Sequence, residues 1–520
     1  LKAQAASEQG VGRKVAIGFA WGITNGVVDR ILAAISQLAL AHFLQKRDFG
    51  LLALTYTVTT FAALLQQFGV KHALIQRPTE FANRATPAHW LSVTVGTAAA
   101  VITIVAARFA AQYYKEPSLT GLLLVSSMAF PAASAGVVAE AKLGLDMRFS
   151  FLAKLAMSGA VLSFSLGLLL AGVLHWGTYS ITIPPIVVSV LRLPLVWRAA
   201  GVRIEWRPRF REWRGFLATS STLLVASLIL MCTYAGPMSL LGRLTGDAEI
   251  VGAFYFMHQL SDQPVRLMVV NLAAVMLPAL SQMQENPSHQ IHGFAKAVRG
   301  ILLVGMPVCM AQAVVSGAVV RLVLPPKYHS SALLLSLLSF YMVGRLVFPL
   351  IENMLSAQRR QKVWLSICLA YVPSFLLVAL LAIQLGPSSG SVRFGGMSLQ
   401  LGPGERCALG MTACFYAVIP FALAKCFEPG GQPWNMVWRS LRFPVIGGTI
   451  SVLVAASVVR LCPHTRGGDL ATVACGPMIV AITYYLGCRR FAREDLNDLL
   501  SRLTGLLPQR VGALLLRLRA

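Results

Sequence analysis

Charge is scarce in this sequence. Only 12% of its 520 residues are Asp, Glu, Lys or Arg, where a water-soluble protein carries about a quarter. That deficit excludes an ordinary soluble domain. Acids are scarcer still, 20 against 45 basic residues, and nothing resembles a dense catalytic acid cluster. There is no Gly-x4-Gly-Lys-Ser/Thr run, so ATP hydrolysis by this chain is not expected. Cysteine is absent before Cys232 and never forms a Cys-x-x-Cys pair. The nine cysteines therefore read as small core residues, not as metal ligands or a disulfide framework. Cys407 and Cys462, both near outer ends of spans, are the one pair open to another reading.

What the chain has in excess is apolar length. Residues of hydrophobic type make up 56% of it, in recurring runs of about twenty, the length that crosses a bilayer as a helix. A transmembrane β-barrel would alternate in short segments instead. The expected class is therefore all-α, a polytopic membrane protein of about fourteen spans. The first apolar run, from Val15, is too long for a signal peptide and leads directly into a second span.

The connector 198–214 organises the rest. It holds Arg198, Arg203, Arg207, Arg209, Arg211 and Arg214, with Trp206, Pro208 and Trp213 between them. Each guanidinium would cost about 2.5 kcal/mol or more at the bilayer centre. The run is thus a loop, and the positive-inside rule makes it cytoplasmic. Joining two membrane-like segments, it is not read as a nucleic-acid patch; the formal charge of +25 reflects loops that face anionic lipid.

Before the connector, spans are expected near 15–41, 50–70, 89–110, 119–141, 151–174 and 177–197. After it they are expected near 215–242, 250–280, 298–323, 330–357, 361–385, 406–427, 441–461 and 469–488. Lys and Arg concentrate in alternate loops, which puts both termini in the cytoplasm. The division is 1–197, a six-helix bundle; 198–214, the connector; 215–427, a second bundle; 428–488, two further spans; and 489–520, a basic amphipathic tail on the inner leaflet. The Gly- and Pro-rich outer loop 386–405 is read as flexible, with a small hairpin from Val392 to Leu401 around Gly395–Gly396 as the alternative. A weak internal repeat links the halves: a polar turn precedes Gly50 in one and Gly252 in the other, each opening an aromatic-containing helix. Such repeats are typical of alternating-access transporters.

The run Gly18-Phe-Ala-Trp-Gly22, then Leu44…Asp48-Phe-Gly50-Leu-Leu-Ala-Leu54, then Gln67-Phe-Gly69-Val…Ala73-Leu-Ile-Gln-Arg77 resembles the opening of oligosaccharide flippases. These belong to the multidrug/oligosaccharidyl-lipid/polysaccharide superfamily. Asp146-Met-Arg148-Phe149 and Gly252…Tyr255…Pro264…Leu277-Pro-Ala-Leu-Ser281 extend the likeness. One departure is Gln67, where an acid often stands. The resemblance implies two six-helix bundles in a V around a central cavity, plus two extra helices. It also implies transfer of an undecaprenyl-diphosphate-linked oligosaccharide from the inner to the outer leaflet of a bacterial cytoplasmic membrane. No cofactor is implied; a coupling ion, proton or sodium, is left open. Membrane lipids and the polysaccharide polymerase and export machinery are the implied partners, and nucleic acid is not. The peptidoglycan-precursor flippase has an Arg-Asp pair in its first helix and an Arg in its eighth. Here Ser36-Gln37 and Gln259 stand at those places, so its substrate contacts do not carry over.

Attention therefore falls on the ionisable residues inside spans: Asp29, Arg30, Glu140, Arg192, Asp262, Arg266, Arg345 and Glu352. Intramembrane charges face a bundle interior or a wet cavity and pair with one another. His258, Asp262 and Arg266 are spaced to share one helix face, with Gln259 beside them, and so are Arg345 and Glu352. Two readings stand side by side: a cationic cavity that receives a diphosphate, or internal ion pairs that hold helices together. For Glu140 and Arg192, near span ends, the pairing role is preferred. Pro184, Pro185 and Pro194 are expected to interrupt the sixth helix and Pro264 the eighth; Pro184-Pro185 is either a hinge or a static kink. Two rivals share these features: a cation-coupled multidrug exporter on the same fold, and a membrane glycosyltransferase or glycan polymerase, which would need a larger outer loop or more acids.

Overall fold

The computed structural model describes residues 32–66, 80–146, 148–205, 221–283, 286–384, 391–394, 397–431, 433–459 and 465–491, with Val70, Leu74 and Trp213 besides. Helices dominate, as they must where no water can satisfy a backbone amide. In chain order they are α1 (Leu32–Phe43), α2 (Lys46–Gln66), α3 (Phe81–Tyr114), α4 (Ser118–Ser127), α5 (Ala129–Leu145), α6 (Phe149–Gly172), α7 (Tyr179–Ala200) and α8 (Ser221–Thr245). Then follow α9 (Ala248–Gln282), α10 (Pro287–Val323), α11 (Ala332–Arg345), α12 (Phe348–Ala357), α13 (Gln361–Gln384), α14 (Pro403–Phe427), α15 (Pro433–Val459) and α16 (Arg466–Phe491).

Among the described residues ten segments are long and apolar enough to span a bilayer. They match the third to sixth and ninth to fourteenth expected spans. The other four expected spans fall on α1, α2, α8 and α9, of which the first three border on residues outside the described set. Large apolar side chains such as Phe109, Leu453 and Met478 are more than 60% exposed, the condition of a surface solvated by lipid instead of water. Two compact units divide the chain, residues 1–255 and 256–520.

In the first unit, small residues and hydroxyls set the helix contacts. The opening turns of α2 and α9 cross at Gly50 and Gly252. A Cβ on Gly50 would lie 1.8 Å from the Ala248 carbonyl oxygen, and one on Gly252 would lie 1.8 Å from that of Lys46. The contact is reciprocal, four residues back on each side. Tyr114 then ties three helices together: its hydroxyl donates to Ser239 Oγ at 2.8 Å and lies 3.2 Å from Thr57 Oγ1. Near the ends of their spans, Arg192 Nη2 of α7 and Glu140 Oε1 of α5 pair at 3.0 Å, as the pairing role expects.

The second unit is built around α10, against which α15 and α16 pack. Arg321, near the end of α10, grips the buried Asp469 with Nε at 2.9 Å from Oδ2 and Nη2 on Oδ1, which anchors the last helix. Arg360 and Gln358 donate to the Lys425 and Cys426 carbonyls at 2.8 and 3.1 Å, satisfying two of the orphan acceptors at the end of α14.

Two spans are broken by proline, though not where the sequence reading expects. Pro131 lacks the N–H that would bond the Ser127 carbonyl, and the helix breaks at Met128 between α4 and α5. Pro349 likewise cannot bond the Arg345 carbonyl, and the chain turns at Leu346 and Val347 between α11 and α12. By contrast α7 runs unbroken through Pro184, Pro185 and Pro194. The Ser180 carbonyl, which Pro184 leaves unbonded, lies against Gly167 of α6, where a Cβ would come within 3.1 Å. α9 also continues through Pro264. The carbonyl that this proline leaves, that of Leu260, accepts instead from Gln312 Nε2 at 3.0 Å.

The Gly- and Pro-rich loop is not wholly irregular. Strand β1 (Ser391–Phe394) pairs antiparallel with β2 (Met397–Gln400), Phe394 opposite Met397. The hairpin alternative is thus the correct one, with its strands one residue earlier than Val392 to Leu401. Of the cysteines described, Cys309, Cys368, Cys407, Cys414, Cys426 and Cys488 are buried free thiols. Cys462 lies outside the described residues.

Candidate functional site

The intramembrane charges of the second unit converge where α9 passes the end of α11. On α9, a four-residue period stacks His258, Asp262 and Arg266 along one side. His258 is 2% and Asp262 4% exposed. Arg266 Nε donates to Asp262 Oδ2 at 2.6 Å, and its Nη2 donates to Gln259 Oε1 at 3.2 Å. The Arg266 side chain remains 47% exposed. Asp262 is thus the buried member of the pair and Arg266 the more exposed one.

From α11, Arg345 faces the same carboxylate. Its electrostatic neighbours are Tyr341, Asp262 and Tyr371, and those of His258 include Asp262, Arg345 and Arg266. Asp262 thus sits between two guanidiniums and an imidazole. Arg345 is positioned by the Pro349 break, since it is the last residue of α11 and its carbonyl has lost its helical donor. Gly344 before it allows α14 to approach: a Cβ there would lie 2.5 Å from Phe415 Cδ1.

Aromatic rings pack around Arg345. Tyr341 and Phe415 have centroids 5.3 Å apart, Tyr371 and Phe415 5.4 Å, and Phe348 and Phe415 5.3 Å. The His258 ring lies 6.3 Å from that of Tyr341. This low-dielectric floor strengthens every charge interaction above it. Tyr341 and Tyr371 are not among the residues expected from the sequence. Tyr341 could have been found, four residues before Arg345 on the same face; Tyr371 comes from a distant helix and carries no local signal.

The expected shared face of Arg345 and Glu352 does not survive, because it assumes an unbroken helix. The break separates them, and Glu352 on α12 interacts electrostatically with Cys368 of α13. Asp29 and Arg30 lie outside the described residues. Pro184 and Pro185 belong to α7 in the first unit. No three His, Cys, Asp or Glu side chains gather at metal-ligand spacing among the described residues.

Comparison with known proteins agrees with the helical membrane fold. A family model described as "Polysaccharide biosynthesis protein" matches residues 39–333, more than half of the chain. The teichuronic acid biosynthesis protein TuaB of Bacillus subtilis (strain 168) is 23% identical over 352 residues, 67% of this chain and 72% of that one. The lipopolysaccharide biosynthesis protein WzxC of Escherichia coli (strain K12) is 22% identical over 351 residues, 67% of this chain and 70% of that one. Among solved structures, the lipid II flippase MurJ in an inward closed conformation aligns with a TM-score of 0.68 at 12% identity, over 91% of this chain and 100% of that one. An inward-facing multidrug resistance MATE family transporter of the MOP superfamily aligns at 0.57 and 12% identity, over 78% and 98%. Both show the fold alone.

Proposed function

The chain belongs to the polysaccharide biosynthesis protein family, and from that premise we propose that it is a flippase. It carries a lipid-linked oligosaccharide from the inner to the outer leaflet of the bacterial cytoplasmic membrane by alternating access, with no catalytic step of its own. Family membership is the observation that carries this reading, and the named relatives in teichuronic acid and lipopolysaccharide biosynthesis support it. The undecaprenyl tail stays in the bilayer while the polar head crosses. The diphosphate has partners of suitable chemistry in Arg30, Arg266 and Arg345, since a guanidinium fork matches phosphate oxygens. Polysaccharide polymerase and export machinery then take up the product.

The test is sidedness. Purified protein in vesicles is expected to expose an undecaprenyl-diphosphate-linked oligosaccharide to an added glycosidase that cannot cross the membrane. Vesicles that transport organic cations yet never change glycan sidedness would establish the multidrug exporter instead.

Both termini face the cytoplasm in this reading, supported by the alternating basic loops. Reporter fusions after Gln112 and Ser388 are expected to signal outside and a fusion after Arg519 inside. An outside signal from Arg519 rejects the topology.

A further inference from the structure

The second unit holds an apolar cavity that the charged cluster on α9 and α11 does not use. It lies between α10 and α16 and has a volume of about 400 Å³. Leu303, Pro307 and Ala311 line it from α10, and Pro477, Ala481 and Tyr485 from α16. Each trio repeats every four residues, so each forms one stripe along its helix.

The two helices run antiparallel and are tied near both ends. Arg321 Nε donates to Asp469 Oδ2 at 2.9 Å at one end. Nearer the other, the Tyr484 hydroxyl donates to the Leu302 carbonyl at 3.5 Å. Alanine and proline carry too little side chain to fill the space between stripes held so, and a groove is left. Its rim is apolar as well, with Val308 and Met478 exposed, so it opens toward lipid chains.

Charge completes the shape. One more step of four along each stripe reaches Arg299 on α10 and Arg489 on α16, both at the same end of the groove. From Asp469 to Arg489 the helix rises about 30 Å, the thickness of the hydrocarbon core. With the Arg321–Asp469 pair at one interface, the two arginines therefore lie at the other, which is cytoplasmic in the topology proposed above. Lys296, Arg439, Arg442 and Arg490 add positive charge at that end. α10 and α15 contain no acid, and the one acid of α16 is Asp469 at the far end. Arg299 Nε donates to the Ala295 carbonyl at 3.4 Å. A guanidinium has five N–H donors, so this bond is compatible with a phosphate at the terminal nitrogens.

Length selects the occupant. Each stripe rises about 12 Å, and half of the hydrocarbon core is about 15 Å. The groove thus matches one leaflet, the reach of a phospholipid chain, whereas an undecaprenyl chain is far longer. A zwitterionic head group would bring a second cation to the arginines; an anionic one matches them. We propose that the groove between α10 and α16 binds an anionic phospholipid of the inner leaflet, with an acyl chain along the two stripes and the phosphate at Arg299 and Arg489. The site does not depend on the flippase reading; only the choice of leaflet rests on the proposed topology.

Full-length protein in detergent would be titrated separately with phosphatidylglycerol, phosphatidylethanolamine and undecaprenyl phosphate, and bound lipid counted by native mass spectrometry. Phosphatidylglycerol is expected to bind at least tenfold more tightly than phosphatidylethanolamine. Arg299→Gln with Arg489→Gln should reduce that preference at least fivefold. Ala481→Trp, at an exposed position of the groove wall, keeps both arginines but fills the groove, and should lose the tight binding. Lys154→Gln, at an exposed lysine of the first unit, should bind as wild type. The arginine variant changes charge without adding bulk, so it tests the site even where the tryptophan variant does not fold. The idea is overturned if phosphatidylethanolamine binds as tightly, if the arginine variant keeps the preference, or if a folded Ala481→Trp protein binds as wild type. Undecaprenyl phosphate bound in preference to phosphatidylglycerol, and lost in Ala481→Trp, would give the groove to a polyprenyl chain and reject the phospholipid.

Discussion

Gly252→Val is expected to cost most of the folded protein. In the crossing of α2 with α9, the position of the new Cβ already lies 1.8 Å from the Lys46 carbonyl oxygen and 2.7 Å from Gly50 N. Both obstacles are backbone, so no side-chain rotation relieves the clash and the two helices must separate. Ordinary overpacking costs about 1–3 kcal/mol; forcing apart two backbones exceeds that range. Gly50→Val meets the Ala248 carbonyl in the same way and should behave alike. Gly300→Ala is the control. It lies in α10 with open space around it, and it should be neutral or gain about 0.5–1 kcal/mol of helix stability. Fluorescence-detected size exclusion and thermal melts measure all three. A Gly252→Val protein that is monodisperse and melts with the wild type would show that the crossing does not hold these helices.

Those glycines also show how far the sequence could be read. Their parallel settings, each after a polar turn and before an aromatic-containing helix, are visible in the chain. That they pack on each other is not, because contact between helices two hundred residues apart leaves no periodic trace. Ten of the span positions were legible, since hydrophobic length is a one-dimensional property. Proline was the harder residue. Pro184, Pro185 and Pro264 look like breaks, yet their helices continue, because Gly167 makes room for one freed carbonyl and Gln312 bonds another. Pro131 and Pro349 draw no attention in the chain, yet their spans do break. What decides is whether a neighbouring helix serves the orphaned carbonyl, and no local pattern encodes that. At the candidate site, the stacking of His258, Asp262 and Arg266 follows from spacing alone. The approach of Arg345 depends on the break after α11, and so did the failure of its expected alignment with Glu352.

The second large effect concerns Asp262, and it separates the two meanings that intramembrane charges allow. Asp262 is buried and holds Arg266 at 2.6 Å, with Arg345 as a further cationic neighbour. Asp262→Asn removes the negative charge from this group while keeping an acceptor of the same shape. Breaking a buried ion pair by neutralising one partner costs about 3–5 kcal/mol, because the remaining charge is left uncompensated. A fall in melting temperature of several degrees is therefore expected, together with loss of glycan flipping. Arg266→Ala should behave differently. Its side chain is half-exposed, and Asp262 keeps Arg345 as a counter-charge, so the melt should change little. Flipping should nevertheless drop at least tenfold if the exposed side of Arg266 receives the diphosphate, and Arg266→Lys should restore it only partly, since an ammonium lacks the bidentate fork. Vesicle sidedness assays at matched protein levels, run beside thermal melts, distinguish the cases. If Arg266→Ala flips as wild type while Asp262→Asn melts early, the cluster is a structural tie and the diphosphate is held elsewhere. If Asp262→Asn melts with the wild type, the carboxylate is not the counter-charge that the geometry makes it.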